Sequence, residues 1–146
     1  MQIEKINTNP MNILLVEDDD GDAKSIVRGF RKTKIANEIV RAVDGIEALE
    51  ILQGENGKDK IRSPYLLLVD INMPRMNGIQ LIKALRDDSK LHNSIVFVLT
   101  TSNREEDKIA SYNLNIAGYI TKDKAGHDFL KLIDLIDSYW RIVEIP

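Results

Sequence analysis

Cysteine is absent from the 146-residue sequence, and its absence excludes several kinds of site. The chain can form no disulfide bridge, no thiolate zinc site and no cysteine nucleophile. A chain without cysteine suits a reducing compartment, and we expect a cytoplasmic protein.

Long apolar runs and a strong excess of one charge are absent as well. No apolar segment reaches the length of a membrane span, and residues 1–10 lack the apolar core of a signal peptide. The formal net charge of −3 gives no general attraction to nucleic acid or to anionic membranes, so we predict neither as a partner. We expect a polar tail over residues 1–10 and a single domain over residues 11–143, with no output domain.

The most informative segment is the apolar run Tyr65–Val69, which ends at Asp70. A continuous apolar run that is closed by turn residues predicts a strand buried on both faces. Two similar runs and two weaker, more polar runs predict four further strands. The predicted strands are Asn12–Val16, Glu38–Ala42, Tyr65–Val69, Ser94–Leu99 and Ala117–Thr121.

Apolar residues at helical spacing lie between these strands and after the last one. Five helices are predicted. The first begins at Gly21-Asp22, the second covers Ile46–Leu52 and the third runs from Gly78 to Asp88. The fourth begins with a Ser102/Glu105 capping box and ends at Tyr112, and the fifth runs from Lys124 to Val143. The charged segment Gln53–Pro64 predicts an exposed loop. A strand followed by a helix, five times over, predicts an α/β fold with a doubly wound parallel sheet.

The carboxyl ends of parallel strands meet at one edge of such a sheet. The polar residues delivered there are Glu17, Asp18 and Asp19 after the first strand, Asp70 after the third, Thr100 and Thr101 after the fourth, and Lys122 after the fifth. Carboxylates held together repel one another, and oxygen ligands favour Mg²⁺ or Mn²⁺ over zinc. Together with the nearby lysine and threonine hydroxyl, a cation held by these carboxylates would suit phosphoryl transfer onto the Asp70 carboxylate.

Four motifs, in this order and spacing, resemble the receiver domains of two-component response regulators of the chemotaxis-regulator type. They are Ile13–Asp18, Tyr65–Gly78, Val96–Thr101 and Tyr119–Lys122. The resemblance implies a flavodoxin-like five-stranded sheet of order 2-1-3-4-5. The loop Gln53–Pro64 and the Tyr139-Trp140 ending resemble stand-alone regulators that are paired with phytochrome-type kinases.

The resemblance also implies a role for each residue at the sheet edge. Asp70 would be the phosphoacceptor, supplied by a sensor histidine kinase, and Thr100 and Lys122 would contact the phosphoryl group. The magnesium site would comprise Glu17, Asp18, Asp70 and the backbone carbonyl of Asn72. Tyr119 would be the switch aromatic. Such a domain is a signalling module that catalyses its own phosphorylation and dephosphorylation, and it has no external substrate.

Two features depart from the family pattern. Asp123 follows Lys122 where the family usually has proline, often after a cis peptide bond, so the local geometry stays open. The acidic run also leaves Asp19 as an alternative member of the metal-binding pair. We interpret Asp20 and Asp22 as solvated residues of a helix start.

Two other function classes conflict with particular residues. A haloacid-dehalogenase-type phosphatase would use Asp70 as its nucleophile but needs a second aspartate where this chain has Asn72. A flavodoxin-like FMN binder needs a phosphate-binding loop after the first strand, and the acidic run there would repel a phosphate.

The final helix has two adjacent apolar stripes, more than one sheet face needs. This excess predicts deep burial or a partner surface. Because receivers commonly dimerise through their fourth helix, fifth strand and fifth helix, we expect a homodimer through these elements, and an unidentified downstream protein as a further partner.

Overall fold

The computed structural model describes residues 11–33, 36–126 and 129–143. Within these ranges, the strands are β1 (Met11–Val16), β2 (Ala36–Ala42), β3 (Tyr65–Val69), β4 (Ile95–Thr100) and β5 (Gly118–Thr121). The helices are α1 (Asp20–Thr33), α2 (Gly45–Gln53), α3 (Gly78–Asp87), α4 (Glu105–Asn113), α5 (Lys122–Ala125) and α6 (Leu130–Ile142). No helix in the described ranges is both long enough and apolar enough to span a bilayer.

The five strands form one parallel sheet of order β2-β1-β3-β4-β5. This is the predicted doubly wound topology, and the prediction is confirmed. Because β3 lies between β1 and β4, the ends of β1, β3, β4 and β5 follow one another along a single edge. The peptide N–H of Asp70 donates to the Val16 carbonyl oxygen at 3.0 Å, which fixes the first residues beyond β1 and β3 beside each other.

Both faces of the sheet are covered, as the continuous apolar runs predict. Alternate residues of β1 point to opposite faces, so Leu14 and Val16 join one apolar cluster while Ile13 and Leu15 join the other. The first cluster includes apolar residues of α2 and α3, and the second includes apolar residues of α1 and α6. Four helices therefore anchor the sheet whose edge carries the polar residues.

The single final helix predicted from Lys124 to Val143 is wrong. The structure has a four-residue helix, α5, and a separate helix, α6. Gly126 has a φ of 86° and Phe129 a φ of 56°, and neither angle is compatible with a right-handed helix. Apolar spacing continues across this break because α6 still packs its Leu132, Ile133 and Ile136 side chains against the sheet.

Two smaller predictions need correction, and the structure defines one peptide geometry that the sequence left open. The capping box for the fourth helix is wrong, because Arg104 is the N-cap residue of α4 and makes no side-chain capping bond. The loop Gln53–Pro64 is largely exposed as predicted, but its Ile61 side chain is buried in the core. Within the described ranges the cis peptide bond is Ser63–Pro64, so the Lys122–Asp123 bond is trans.

Candidate functional site

Three of the predicted acidic residues converge at the sheet edge. Glu17 follows β1 and is buried, Asp70 follows β3 and is also buried, and Asp18 is exposed. One carboxylate oxygen from each of the three lies within 4.8 Å of the other two. The cluster is therefore a group of oxygen ligands that is closed on the protein side and open to solvent at Asp18.

The Asp70 carboxylate has one oxygen without a partner. Its Oδ2 accepts a long hydrogen bond from Lys122 Nζ at 3.4 Å, whereas its buried Oδ1 has no hydrogen-bond partner. A buried carboxylate oxygen without a partner is costly, because it has lost water and gained nothing in return. A hard divalent cation among these three carboxylates would satisfy it, so the donor set fits Mg²⁺ or Mn²⁺.

Lys122, the first residue of α5, bridges three carboxylates. Its Nζ lies 2.5 Å from Glu17 Oε1, 2.7 Å from Asp22 Oδ2 and 3.4 Å from Asp70 Oδ2. Burial alone would lower the pKa of Lys122, but the hydrogen bonds to Asp22 and Glu17 and the charge of Asp70 outweigh it and raise the pKa above its ordinary value. Lys122 is therefore a fixed positive charge beside Asp70.

Burial has the opposite consequence for Glu17. It raises the pKa of Glu17 to about 7, with a further increase from the charge of Asp70, although the hydrogen bond from Lys122 opposes the change. Burial thus makes the negative charge of Glu17 costly, and a bound cation would offset that cost.

The structure separates the residues of the acidic run by their contacts. Asp19 Oδ2 accepts the N–H of Asp22 at 2.8 Å, at the start of α1, so its carboxylate belongs to the helix start and not to the cluster. Asp20 is largely solvated, as predicted, and pairs with Arg41 at 2.7 Å. Asp22 lies in the first turn of α1 as interpreted, but it is only partly solvated because its carboxylate binds Lys122.

Arg41 on β2 is a second residue that sequence reasoning missed. Its Nε donates to the Glu17 carbonyl oxygen at 3.0 Å, and its Nη1 donates to Asp20. One side chain thus holds both ends of the loop between β1 and α1. The available signal was a basic residue in a polar edge strand, beside a strand that an acidic run follows.

The loop after Asp70 is held from two sides. Asp44 accepts hydrogen bonds from the N–H of Glu47, at the start of α2, and from Arg75 Nε, and the Arg75 hydrogen bond is the main reason that the pKa of Asp44 lies below its ordinary value. At the far end, the N–H of Gly78 donates to the Ile71 carbonyl oxygen. Asn72 lies within this loop with its side chain exposed.

Thr100 and Tyr119 are connected through Ser102. The fully buried Thr100 hydroxyl oxygen accepts the Ser102 N–H at 3.2 Å, and the Tyr119 hydroxyl donates to the Ser102 carbonyl oxygen at 3.0 Å. The Ser102 hydroxyl in turn donates to Asp107 of α4. The predicted hydroxyl and the predicted aromatic therefore share Ser102 as a partner, and Ser102, which the sequence predicts only as a helix cap, also contacts α4.

Known proteins share the sequence pattern and the fold of this chain. Residues 13–134 match the family described as response regulator receiver domain. Response regulator Rcp1 from Synechocystis sp. is 34% identical over 131 residues, which cover 90% of this chain and 89% of Rcp1. Chemotaxis protein CheY1 from Helicobacter pylori is 30% identical over 109 residues, 75% of this chain and 83% of CheY1.

Two solved structures extend the comparison. The phosphorylated cyanobacterial phytochrome response regulator RcpA has a TM-score of 0.85 at 29% identity, over 94% of this chain and 99% of RcpA. The Mn²⁺-bound form of Rcp1 has a TM-score of 0.82 at 33% identity, over 94% of this chain and 99% of Rcp1. The chain belongs to the response regulator receiver domain family, the signalling domains of two-component systems.

Proposed function

We propose that Asp70 accepts a phosphoryl group from a sensor histidine kinase and that the domain thereby switches a protein-interaction surface. The observation that carries the proposal is the state of the Asp70 carboxylate. It is buried at the end of β3, one of its oxygens has no partner, and the other lies 3.4 Å from the Lys122 ammonium. The solved structure of phosphorylated RcpA gives a precedent in a similar protein.

In the proposed step a carboxylate oxygen of Asp70 attacks the phosphorus of the donor's phosphohistidine. A new P–O bond forms while the P–N bond breaks, and its electron pair leaves with the imidazole. Lys122 would contact the phosphoryl oxygens as a point charge, and Thr100 would donate its hydroxyl hydrogen to one of them. The same residues would serve when water later removes the group from Asp70.

Glu17, Asp18 and Asp70, together with the backbone carbonyl of Asn72, would hold Mg²⁺ or Mn²⁺. The bound cation would offset the negative charge of the carboxylates and of the arriving phosphoryl group. The unpartnered Asp70 oxygen and the close carboxylate cluster support this assignment, and similar Rcp1 has been solved in a Mn²⁺-bound form.

Phosphorylation would alter the protein-interaction surface at α4. If Thr100 turned its hydroxyl toward a phosphoryl group, the hydrogen bond from the Ser102 N–H to the Thr100 hydroxyl oxygen would weaken or break. Ser102 also contacts Tyr119 and Asp107, so a change at Thr100 would reach the start of α4 through a single residue. Phosphorylation would then shift an equilibrium between two arrangements of this region.

A homodimer through α4, β5 and α6 is part of the proposal. Five large apolar side chains on the two helices are exposed, namely Ile109 and Tyr112 on α4 and Leu130, Leu135 and Ile142 on α6. Exposed apolar residues of this size favour a partner surface. Size-exclusion chromatography with light scattering would detect the dimer, and a monomer both with and without a phosphate mimic would exclude it.

The central test is incubation with acetyl phosphate and Mg²⁺, followed by intact-mass measurement. We expect one phosphoryl adduct that is absent in Asp70→Asn and absent when Mg²⁺ is chelated. Asp20→Asn is the matched control, because it removes a carboxylate from the same sheet edge that lies outside the cluster. No adduct on the wild-type protein, or an adduct that survives Asp70→Asn, would exclude the proposed function.

A further inference from the structure

Asp22 is the residue of this site to which the proposed function assigns no role. Its carboxylate lies 2.7 Å from Lys122 Nζ, whereas the Asp70 carboxylate lies 3.4 Å away. The N–H of Asp22 is already bound to Asp19, so the start of α1 is held without the Asp22 side chain. The Asp22 carboxylate therefore serves the contact with Lys122 and not the helix start.

A lysine ammonium has three hydrogens to donate, and three carboxylates surround Lys122. Glu17, Asp22 and Asp70 are all within 3.4 Å of Nζ. A phosphoryl group on Asp70 takes over the long 3.4 Å contact of that carboxylate, and it competes for the Nζ hydrogens with the two shorter contacts, those of Glu17 and Asp22. A second Nζ hydrogen becomes available to the phosphoryl oxygens only when one of these two carboxylates gives way, and the released carboxylate must then be solvated by water.

Solvent exposure identifies that partner. The side chain of Glu17 is 1% exposed and that of Asp70 is 7% exposed, but that of Asp22 is 34% exposed. Releasing a buried carboxylate from its cation leaves an uncompensated charge, whereas a carboxylate that is partly in water is released at much lower cost. Asp22 is thus the partner that Lys122 can exchange.

We propose that Asp22 is a positioning residue that competes with the phosphoryl group for Lys122 and so raises the donor concentration needed to phosphorylate Asp70. This inference rests on the proposed function. Its physical basis is that the Asp22–Lys122 ion pair stabilises the unphosphorylated state and is given up in the phosphorylated one. Removing the Asp22 charge leaves Lys122 held by Glu17 and free to contact the phosphoryl group.

The experiment measures the phosphorylated fraction at steady state against acetyl phosphate concentration, by intact mass, in the presence of Mg²⁺. We expect Asp22→Asn to lower the half-saturating concentration by roughly threefold to fivefold, the size of effect typical of a partly exposed ion pair. Asp22→Glu, which restores the carboxylate, should return the value toward that of the wild-type protein. Urea unfolding of each variant separates this effect from a loss of stability.

Asp20→Asn is the matched control. Asp20 lies in the same helical turn, has an ion pair of the same 2.7 Å length, and is paired with Arg41 instead of Lys122. It reports the effect of removing one negative charge near the site without freeing the lysine. A lower half-saturating concentration in Asp22→Asn than in Asp20→Asn supports the inference.

Equal half-saturating concentrations in the two variants would overturn the inference. A higher half-saturating concentration in Asp22→Asn would also overturn it, because Asp22 would then help Lys122 to bind the phosphoryl group. A wild-type protein without an adduct would instead overturn the proposed function, and this inference with it. Should Asp22→Asn fail to fold, Asp22→Ser and Asp22→Ala are measured in the same way and are subject to the same criteria.

Discussion

Gly78 gives the sharpest test of how the fold positions Asp70. It is the first residue of α3, and a Cβ placed on it would lie 2.3 Å from the Asp70 carbonyl oxygen and 2.8 Å from the Ile71 Cα. Both neighbours are backbone atoms, which no side-chain rotation can move aside. Gly78→Ala should therefore push the residue that follows β3 away from its position in the site.

Two effects of opposite sign compete in this variant. Alanine favours a helix over glycine by up to about 1 kcal/mol, whereas forcing extra volume into a closely packed position costs about 1–3 kcal/mol. Contacts of 2.3 Å and 2.8 Å lie far inside van der Waals distance, so the steric cost belongs at the upper end of its range. We expect a net loss of about 1–2 kcal/mol in the free energy of unfolding.

Urea unfolding measures this loss, and Gly21→Ala is its control. Gly21 lies in the first turn of α1, where a Cβ would meet its nearest neighbour at an ordinary 3.4 Å, so alanine there should be neutral or stabilising. We also expect Gly78→Ala to lose most of its phosphorylation by acetyl phosphate, since Asp70 must move. A Gly78→Ala protein that matches Gly21→Ala in stability and the wild type in phosphorylation would refute this reasoning.

Three further predictions concern residues that support the site or the fold. The Arg86 guanidinium donates to four backbone carbonyls, those of His92, Ser94, Leu114 and Asn115. Arg86→Ala should therefore lower the free energy of unfolding by about 2–4 kcal/mol in urea unfolding. Arg86→Lys should regain only part of this loss, because one ammonium cannot span two loops. The pKa of Asp44 is below its ordinary 3.8, chiefly through its hydrogen bond from Arg75, so its contribution to stability is complete above pH ~4 and is lost as the pH falls through the folded-state pKa. Thermal unfolding midpoints should accordingly fall less steeply in acid for Asp44→Asn than for the wild type, and an identical acid dependence would contradict the assignment. Tyr119→Phe removes the hydrogen bond to the Ser102 carbonyl and should cost about 1 kcal/mol in urea unfolding, whereas an unchanged stability would mean that this bond contributes nothing measurable in solution.

The sheet could be predicted from the sequence because its central strands are buried on both faces. Most residues in such a strand are apolar, so β1, β3 and β4 stand out as apolar runs that end abruptly at polar residues. Because a helix follows each strand, the strands run parallel and their carboxyl ends share one edge. That shared edge, with the strand order that the family resemblance implied, places Glu17, Asp18, Asp70 and Lys122 near one another, as the structure shows.

The break between α5 and α6 could not be predicted in the same way. Helical spacing of apolar residues reports which residues face the sheet, and α6 alone supplies most of that pattern. A single glycine within such a pattern is tolerated in many helices. That Gly126 has a positive φ here depends on the connection between the end of β5 and the start of α6, which local sequence does not specify.

The roles of Asp20 and Asp22 depend on where a helix begins, and this is why the sequence left them equivalent. Both are acids next to the same strand end, and both suit the first turn of a helix. Once α1 begins at Asp20, two residues of helical rotation separate their side chains by about 200°. One carboxylate then meets Arg41 on the edge strand β2, and the other meets Lys122 beyond β5. The start of α1 therefore decides which acid can influence phosphorylation of Asp70, and the comparison of Asp22→Asn with Asp20→Asn tests this consequence directly.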